Sequence, residues 1–227
     1  MVNNFGKKYS DLLGIDVRSG DSGEIFKWFL ASILFGAPIR ESSAIKTYQC
    51  FKKYGVLTPR KIVETGWQGL VDILDEGTYT RYDFRTSDKL LEVMGNLIAD
   101  YGGDLGLLHR LARDPADLER RLKALGKGIG DVTVSIFLRE LRGVWEKADV
   151  KPTPLVLLAA KNLGLIEAEE PGRALEELKS FWIESKVPGK TFVDFETALL
   201  RVGKDLCRKG RCESCPLKGG CLAATSS

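Results

Sequence analysis

Cys207-Arg208-Lys209-Gly210-Arg211-Cys212-Glu213-Ser214-Cys215-Pro216-Leu217-Lys218-Gly219-Gly220-Cys221 holds four of the five cysteines, spaced C-x4-C-x2-C-x5-C. Thiolates are ligands of soft metals, and one loop that supplies four can close a whole coordination shell. Disulfide pairing is the alternative, and it belongs to exported chains. Residues 1–10 hold no apolar signal region, and no apolar run is long enough to span a bilayer. The expectation is a cytoplasmic protein with its metal on Cys207, Cys212, Cys215 and Cys221. Structural zinc sites usually set two C-x2-4-C knuckles apart by a longer loop. Here the cysteines run on almost without a break, which suits a [4Fe–4S] cluster, with zinc as the alternative. Arg208, Lys209, Arg211 and Lys218 stand among them against a single acid, Glu213. A basic collar is out of place on a simple electron carrier and natural on a loop that presses against phosphate.

Outward from that loop, 227 residues make one large domain or two small ones, each with a core of its own. A net charge of only +3 means that any nucleic-acid surface must come from local clustering. The single histidine, His109, reads as a partly exposed helix residue. Histidine triads and His-rich metal sites are thereby set aside, and catalysis must rest on carboxylates or lysines. Cys50 stands alone in an apolar helical pattern and reads as a buried thiol.

The chain is expected to be all-α. Ile25-Phe26-Lys27-Trp28-Phe29-Leu30-Ala31-Ser32-Ile33-Leu34-Phe35 is apolar nearly all round, a buried central helix behind an Asp21/Ser22 cap. Further helices are expected over residues 41–51, from Pro59 onward with breaks at 66–70 and Gly77, and over 89–101, 117–125 and 131–142. Others follow over 155–163, from Pro171 to Trp182, and over 192–206, the last leading straight into the cysteine loop. Residues 223–227 are expected to fray. Between two of these helices, Tyr79-Thr80-Arg81-Tyr82-Asp83-Phe84-Arg85 interleaves aromatics with arginines. It reads either as a base-stacking platform or as an aromatic-anchored loop.

Gly126-Lys127-Gly128-Ile129-Gly130 separates two expected helices. Glycines allow positive φ and close approach of a ligand, and N–H groups opening the second helix can hold phosphate. Ile129 would anchor the turn in the core. A plain turn between packed helices is the other reading. Asp149 follows nineteen residues after Gly130, and the cysteine loop closes the chain.

This order of Gly128-Ile129-Gly130, Asp149 and four cysteines resembles the helix–hairpin–helix DNA glycosylase superfamily, in its iron–sulfur branch of endonuclease III and MutY type. The resemblance covers roughly residues 26–221. It implies a two-lobed fold, with a helical lobe over 21–145 and a cluster lobe formed by 1–20 and 146–227. It also implies a monomer that acts on double-stranded DNA containing a damaged or mismatched base, with no membrane. The hairpin residues Lys127, Gly128, Ile129, Gly130, Val132 and Thr133 would grip the DNA backbone, Arg208, Lys209 and Arg211 would contact phosphate, and Asp149 would serve the chemistry. Lys127 stands where family hairpins carry proline, and the first cysteine gap is shorter than in endonuclease III. Val132 stands where bifunctional members carry the Schiff-base lysine, and valine cannot form an imine. Lys151 reads as a substitute amine, a phosphate contact or a solvated charge. In the loop Pro38-Ile39-Arg40-Glu41, either Ile39 or Arg40 would fill the space of a flipped nucleotide, unless the loop has no DNA role. The implied activity is a monofunctional DNA N-glycosylase; a glycosylase/lyase, a non-catalytic DNA-binding module and an electron carrier are the alternatives. Asp149 could instead cap the helix that follows Pro152–Pro154.

Overall fold

The computed structural model describes residues 1–225, and these are helical with no strand. The helices are α1 (Val2–Phe5), α2 (Tyr9–Leu13), α3 (Ser22–Phe35), α4 (Glu41–Lys53), α5 (Pro59–Glu76), α6 (Asp83–Tyr101), α7 (Leu105–Leu111), α8 (Pro115–Ala124) and α9 (Asp131–Glu140). The chain continues through α10 (Pro154–Asn162), α11 (Pro171–Glu184), α12 (Phe192–Asp205) and α13 (Leu222–Thr225). Short 3-10 turns occupy Val17–Ser19, Cys207–Lys209 and Lys218–Gly220. Among the described residues no helix is long and apolar enough to cross a membrane. Residues 226–227, part of the expected frayed tail, lie outside the described residues; the stretch before them is α13.

Helix starts follow local chemistry. Pro59, Pro115, Pro154 and Pro171 each occupy the first position of a helix, where a missing N–H costs nothing. Asp21, Thr58, Asp104, Asp114, Thr153, Glu170 and Thr191 each accept a backbone N–H of the first turn. α10 is therefore capped by Thr153, and Asp149 is not its cap. α5 is interrupted at Gly66 (φ 68°, ψ 174°), where the sequence placed a break.

The chain divides into two compact units, one of Met1–Tyr9 with everything from Lys151 onward, the other Ser10–Val150. The divisions fall at residues 9/10 and 150/151, away from the expected 20/21 and 145/146. Residues 10–20 join the Ser10–Val150 unit because Leu13, Ile15 and Val17 are buried and the Ser10 N–H donates to Glu140 Oε2 at 3.0 Å. The Asp16 N–H likewise donates to Glu24 Oε2 at 2.8 Å.

The Ser10–Val150 unit is built around α3, whose Trp28, Phe29, Leu30 and Leu34 are fully buried. The Trp28 indole N–H donates to the Phe137 carbonyl at 3.0 Å, and the Phe29 and Phe137 rings meet edge-on at 5.0 Å, tying α3 to α9. Tyr79 is 1% exposed and its hydroxyl donates to the Leu34 carbonyl at 2.8 Å. Tyr79 is thus a core residue and not part of a stacking platform, and α6 begins at Asp83, ahead of the expected residue 89. Cys50 is buried, as expected of an apolar-face thiol.

In the other unit, Val156, Ala159 and Ala160 of α10 pack with Ala174, Leu178 and Trp182 of α11 and with Phe195, Leu199 and Val202 of α12. Phe181 and Trp182 both stack on Phe195, at 5.7 and 5.4 Å. Gly203 is needed for this packing, since a Cβ there would run into the Leu155 carbonyl. The close crossing of α12 on α10 delivers the chain into the cysteine loop.

Asp117 organises α8, the helix that leads to the hairpin. Its buried carboxylate accepts the Arg113 N–H at 3.0 Å and Arg121 Nε at 3.1 Å, and pairs with Arg120. The Arg113 N–H and the guanidiniums hold this carboxyl well below the usual carboxylate range, against the opposing effect of burial. A carboxyl depressed on folding adds stability above its unfolded value, about 3.9, and loses it as pH falls through the native value. Asp117→Asn is expected to lower the thermal midpoint at neutral pH, with the gap to wild type closing below about pH 4. Thermal scans across pH measure both.

Candidate nucleic-acid interface and metal centre

The turn between α8 and α9 is seated on one face of α6 by residues at helical spacing. The Asn96 side chain donates to the Leu125 carbonyl at 2.8 Å, and the Lys127 N–H donates to Glu92 Oε1 at 3.1 Å. Gly126 lies against Val93, and Gly128 against Lys89. Gly128 has φ +91°, a region that L side chains rarely enter. Ile129 is buried and pins the turn in the core, as its position between glycines implies. Lys127, Gly128 and Gly130 are exposed. Gly130 opens α9 without a side-chain cap, so the first-turn N–H groups remain for an outside acceptor.

Val132, in that first turn, is 61% exposed, an apolar side chain displayed where a ligand would approach. Thr133 is buried instead, its hydroxyl against Gly36 at the end of α3. Its contact brings the loop after α3 to the start of α9. Arg40 in that loop is exposed, and Ile39 is half-buried with its N–H on the Ala37 carbonyl at 2.8 Å. Phe84, from the arginine–aromatic segment, is exposed and packs against Trp67 at 5.1 Å.

At the other end of α9 the chain turns through Trp145 to Asp149. Arg142 Nη1 donates to Asp149 Oδ1 at 2.6 Å, and Nη2 donates to the Val150 carbonyl. The Arg142 side chain is 7% exposed, that of Asp149 44%. The carboxylate is thus held by the guanidinium while remaining half-exposed. Trp145 is gripped between the His109 ring, stacked at 4.6 Å, and the edge of Phe137 at 5.5 Å. Lys147 donates to the His109 carbonyl at 3.1 Å. Burial, followed by Lys147, pushes the imidazole below its usual value, and its Nε2 is buried with no hydrogen-bond partner among the described residues. The only histidine therefore supports the loop and takes no visible part in chemistry. Arg142 was missed by sequence reasoning; nothing in Leu141-Arg142-Gly143 distinguishes it from a solvated helix-end arginine.

None of the five cysteines is in a disulfide, and in the unit from Lys151 onward Cys207, Cys212, Cys215 and Cys221 line one small recess with Asn162, Leu206, Arg211, Lys218 and Ala224. The Cys221 thiol donates to the Asn162 carbonyl at 3.2 Å. Burial pushes the Cys207 thiol up, and the three other cysteines add to the shift. Among the described residues no three His, Cys, Asp or Glu side chains are drawn together as ligands of one ion. The donor set nevertheless fits a thiolate-bound group, because four soft donors and a mainly apolar wall face one space. Arg208, Lys209, Arg211 and Lys218 are all exposed; Lys209 pairs with Asp205 at 3.3 Å and Lys218 with Glu213 at 2.7 Å. Lys151 is exposed and pairs with Glu170 at 3.2 Å. The Gly172 and Arg173 N–H groups, followed by that ion pair, bring Glu170 down to about 2.

Among known proteins, no family model matches the chain and no curated protein sequence matches it.

Removing the Arg142 fork leaves Asp149 and the Val150 carbonyl without their common donor. Arg142→Met is expected to lower stability by about 1–3 kcal/mol and to speed amide exchange across residues 145–150, with the hairpin amides unaffected. Hydrogen exchange read by peptide separates the two regions.

Proposed function

We propose that the protein is a monofunctional DNA N-glycosylase of base excision repair, with an endonuclease III-like, two-lobed fold. The observation that carries this reading is α9. It starts at a glycine hairpin suited to phosphate, and two residues past its end Arg142 holds the half-exposed Asp149 carboxylate. The ten residues of α9 span about 15 Å. A nucleotide held at Asp149 would therefore lie a few phosphates from those held at the hairpin.

Cleavage of a base–sugar bond passes through a sugar cation of oxocarbenium character. Asp149 would stabilise that charge and orient or deprotonate the attacking water. Arg142 fixes the carboxylate, so that little orientation is left to acquire in the transition state. The guanidinium also offsets part of the negative charge, so position is the larger part of what it contributes. The flipped nucleotide would be replaced in the stack by Arg40 or Ile39, from the loop held at the start of α9. Val132 offers an apolar contact there and no amine, which leaves hydrolysis as the route and removes the usual lyase step.

Cys207, Cys212, Cys215 and Cys221 would hold a [4Fe–4S] cluster, or a zinc ion, and Arg208, Lys209 and Arg211 would contact phosphate beside it. When bound, such a group cross-braces the loop and holds its basic collar in place. Lys151, engaged with Glu170, is set as a phosphate contact more readily than as a nucleophile.

A non-catalytic duplex-binding module is the second reading, favoured by the same ion pair, since a carboxylate backed by a guanidinium also serves as a clamp. Duplexes each carrying one damaged or mismatched base, incubated with purified protein and split with and without alkali, distinguish the two. Strand breaks that appear only after alkali are expected on at least one duplex. Breaks without alkali, trapped by borohydride, would point to an amine and a glycosylase/lyase. No base release from any duplex, with duplex binding intact, would leave the binding module.

A further inference from the structure

Lys89, on α6 beneath the hairpin, is a cation for which the described residues supply no anion. Its end lies across Gly128: a Cβ on that glycine would stand 2.7 Å from Lys89 Cε and 3.2 Å from Nζ. The side chain is half-buried, and burial, followed by Arg85 one turn earlier, pushes the ammonium below its usual value. Lysines this enclosed are normally paired, because an uncompensated charge away from water is costly. Among the described residues no carboxylate is hydrogen-bonded or ion-paired to Lys89. The acid one turn further on, Glu92, is engaged by the Lys127 N–H at 3.1 Å. A positive group is thus kept in place, at a cost, beside an exposed turn.

We propose that Lys89 is a phosphate-binding residue, closing with the main chain of the Gly128 turn on one backbone phosphate of duplex DNA, so that α6 belongs to the DNA-contacting surface. The proposal rests on the nucleic-acid reading of the hairpin and extends it to Lys89, a residue that no sequence motif marks. Gly128 has two duties in this arrangement. Its positive φ makes the turn, and its missing side chain leaves the lysine stem room to lie against the backbone and bring the amine to the same side as the turn.

The test is the salt dependence of binding to a short duplex between about 50 and 200 mM salt, for wild type, Lys89→Gln and Lys89→Arg, with thermal midpoints for all three. Loss of one ionic phosphate contact should weaken binding by roughly tenfold and reduce the slope of log K against log[salt] by about 0.9. Lys89→Arg should retain the slope. The midpoint of Lys89→Gln should equal or exceed that of wild type, because no internal partner is lost. Unchanged affinity and slope in Lys89→Gln, with wild type binding normally, would overturn this proposal alone. A lowered midpoint in Lys89→Gln would show a structural role for the amine and overturn it as well. Absence of salt-dependent binding by wild type would remove the nucleic-acid reading and this proposal together.

Discussion

The guanidinium of Arg142 reaches from the end of α9 to Asp149 Oδ1, 2.6 Å away, and to the Val150 carbonyl. An exposed aspartate on a loop would otherwise sample several rotamers, and in the proposed glycosylase each would have to be given up before it could act on a sugar. With one oxygen held and the next carbonyl fixed, that ordering cost is met in the fold. Trp145, gripped by His109 and Phe137, holds the approach to the loop, and Lys147 fastens its far side to α7. The carboxylate is therefore supported by two aromatic contacts and two cations, all within the Ser10–Val150 unit.

The same helix supports the hairpin at its other end. α9 is bound to the buried α3 through the Trp28 indole and the Phe29–Phe137 ring contact. Its first turn packs through Thr133 on Gly36, where α3 ends. The hairpin, the loop after α3 and the Asp149 carboxylate are thus attached to one pair of helices, and a shift in α9 would move all three. Placement on a rigid pair suits chemistry that needs a nucleotide held in one position while its neighbours are gripped by phosphate.

Much of this architecture was legible in the chain. The Asp21/Ser22 pair, Pro59 and Pro171 announced three helix starts, and the all-round apolar stretch 25–35 announced the buried helix. Gly128 and Ile129 announced a turn with an inward anchor, and it is one. Tyr79 was less readable: the alternation of aromatics and arginines looks the same whether a ring faces solvent or donates to a carbonyl in the core, as Tyr79 does to Leu34. Residues 10–20 belong with the Ser10–Val150 unit because they bury Leu13, Ile15 and Val17, which the charged and glycine residues between them mask in the sequence. Arg142 and Lys89 were invisible for a shared reason. A charged residue on a helix reads as solvated, and only tertiary packing shows that one guanidinium is nearly buried and one ammonium lies under a glycine.

If Asp149 is the catalytic group, the sharpest measurement is made on a duplex from which the wild type releases a base. Asp149→Asn keeps the size and the Arg142-facing oxygen while removing the charge. Single-turnover base release should fall by roughly 10²–10⁴-fold, with duplex affinity held within a few-fold of wild type. Release by Asp149→Asn at the wild-type rate, or affinity and release lost in equal measure, would contradict a catalytic role and reduce the Arg142–Asp149 pair to a clamp.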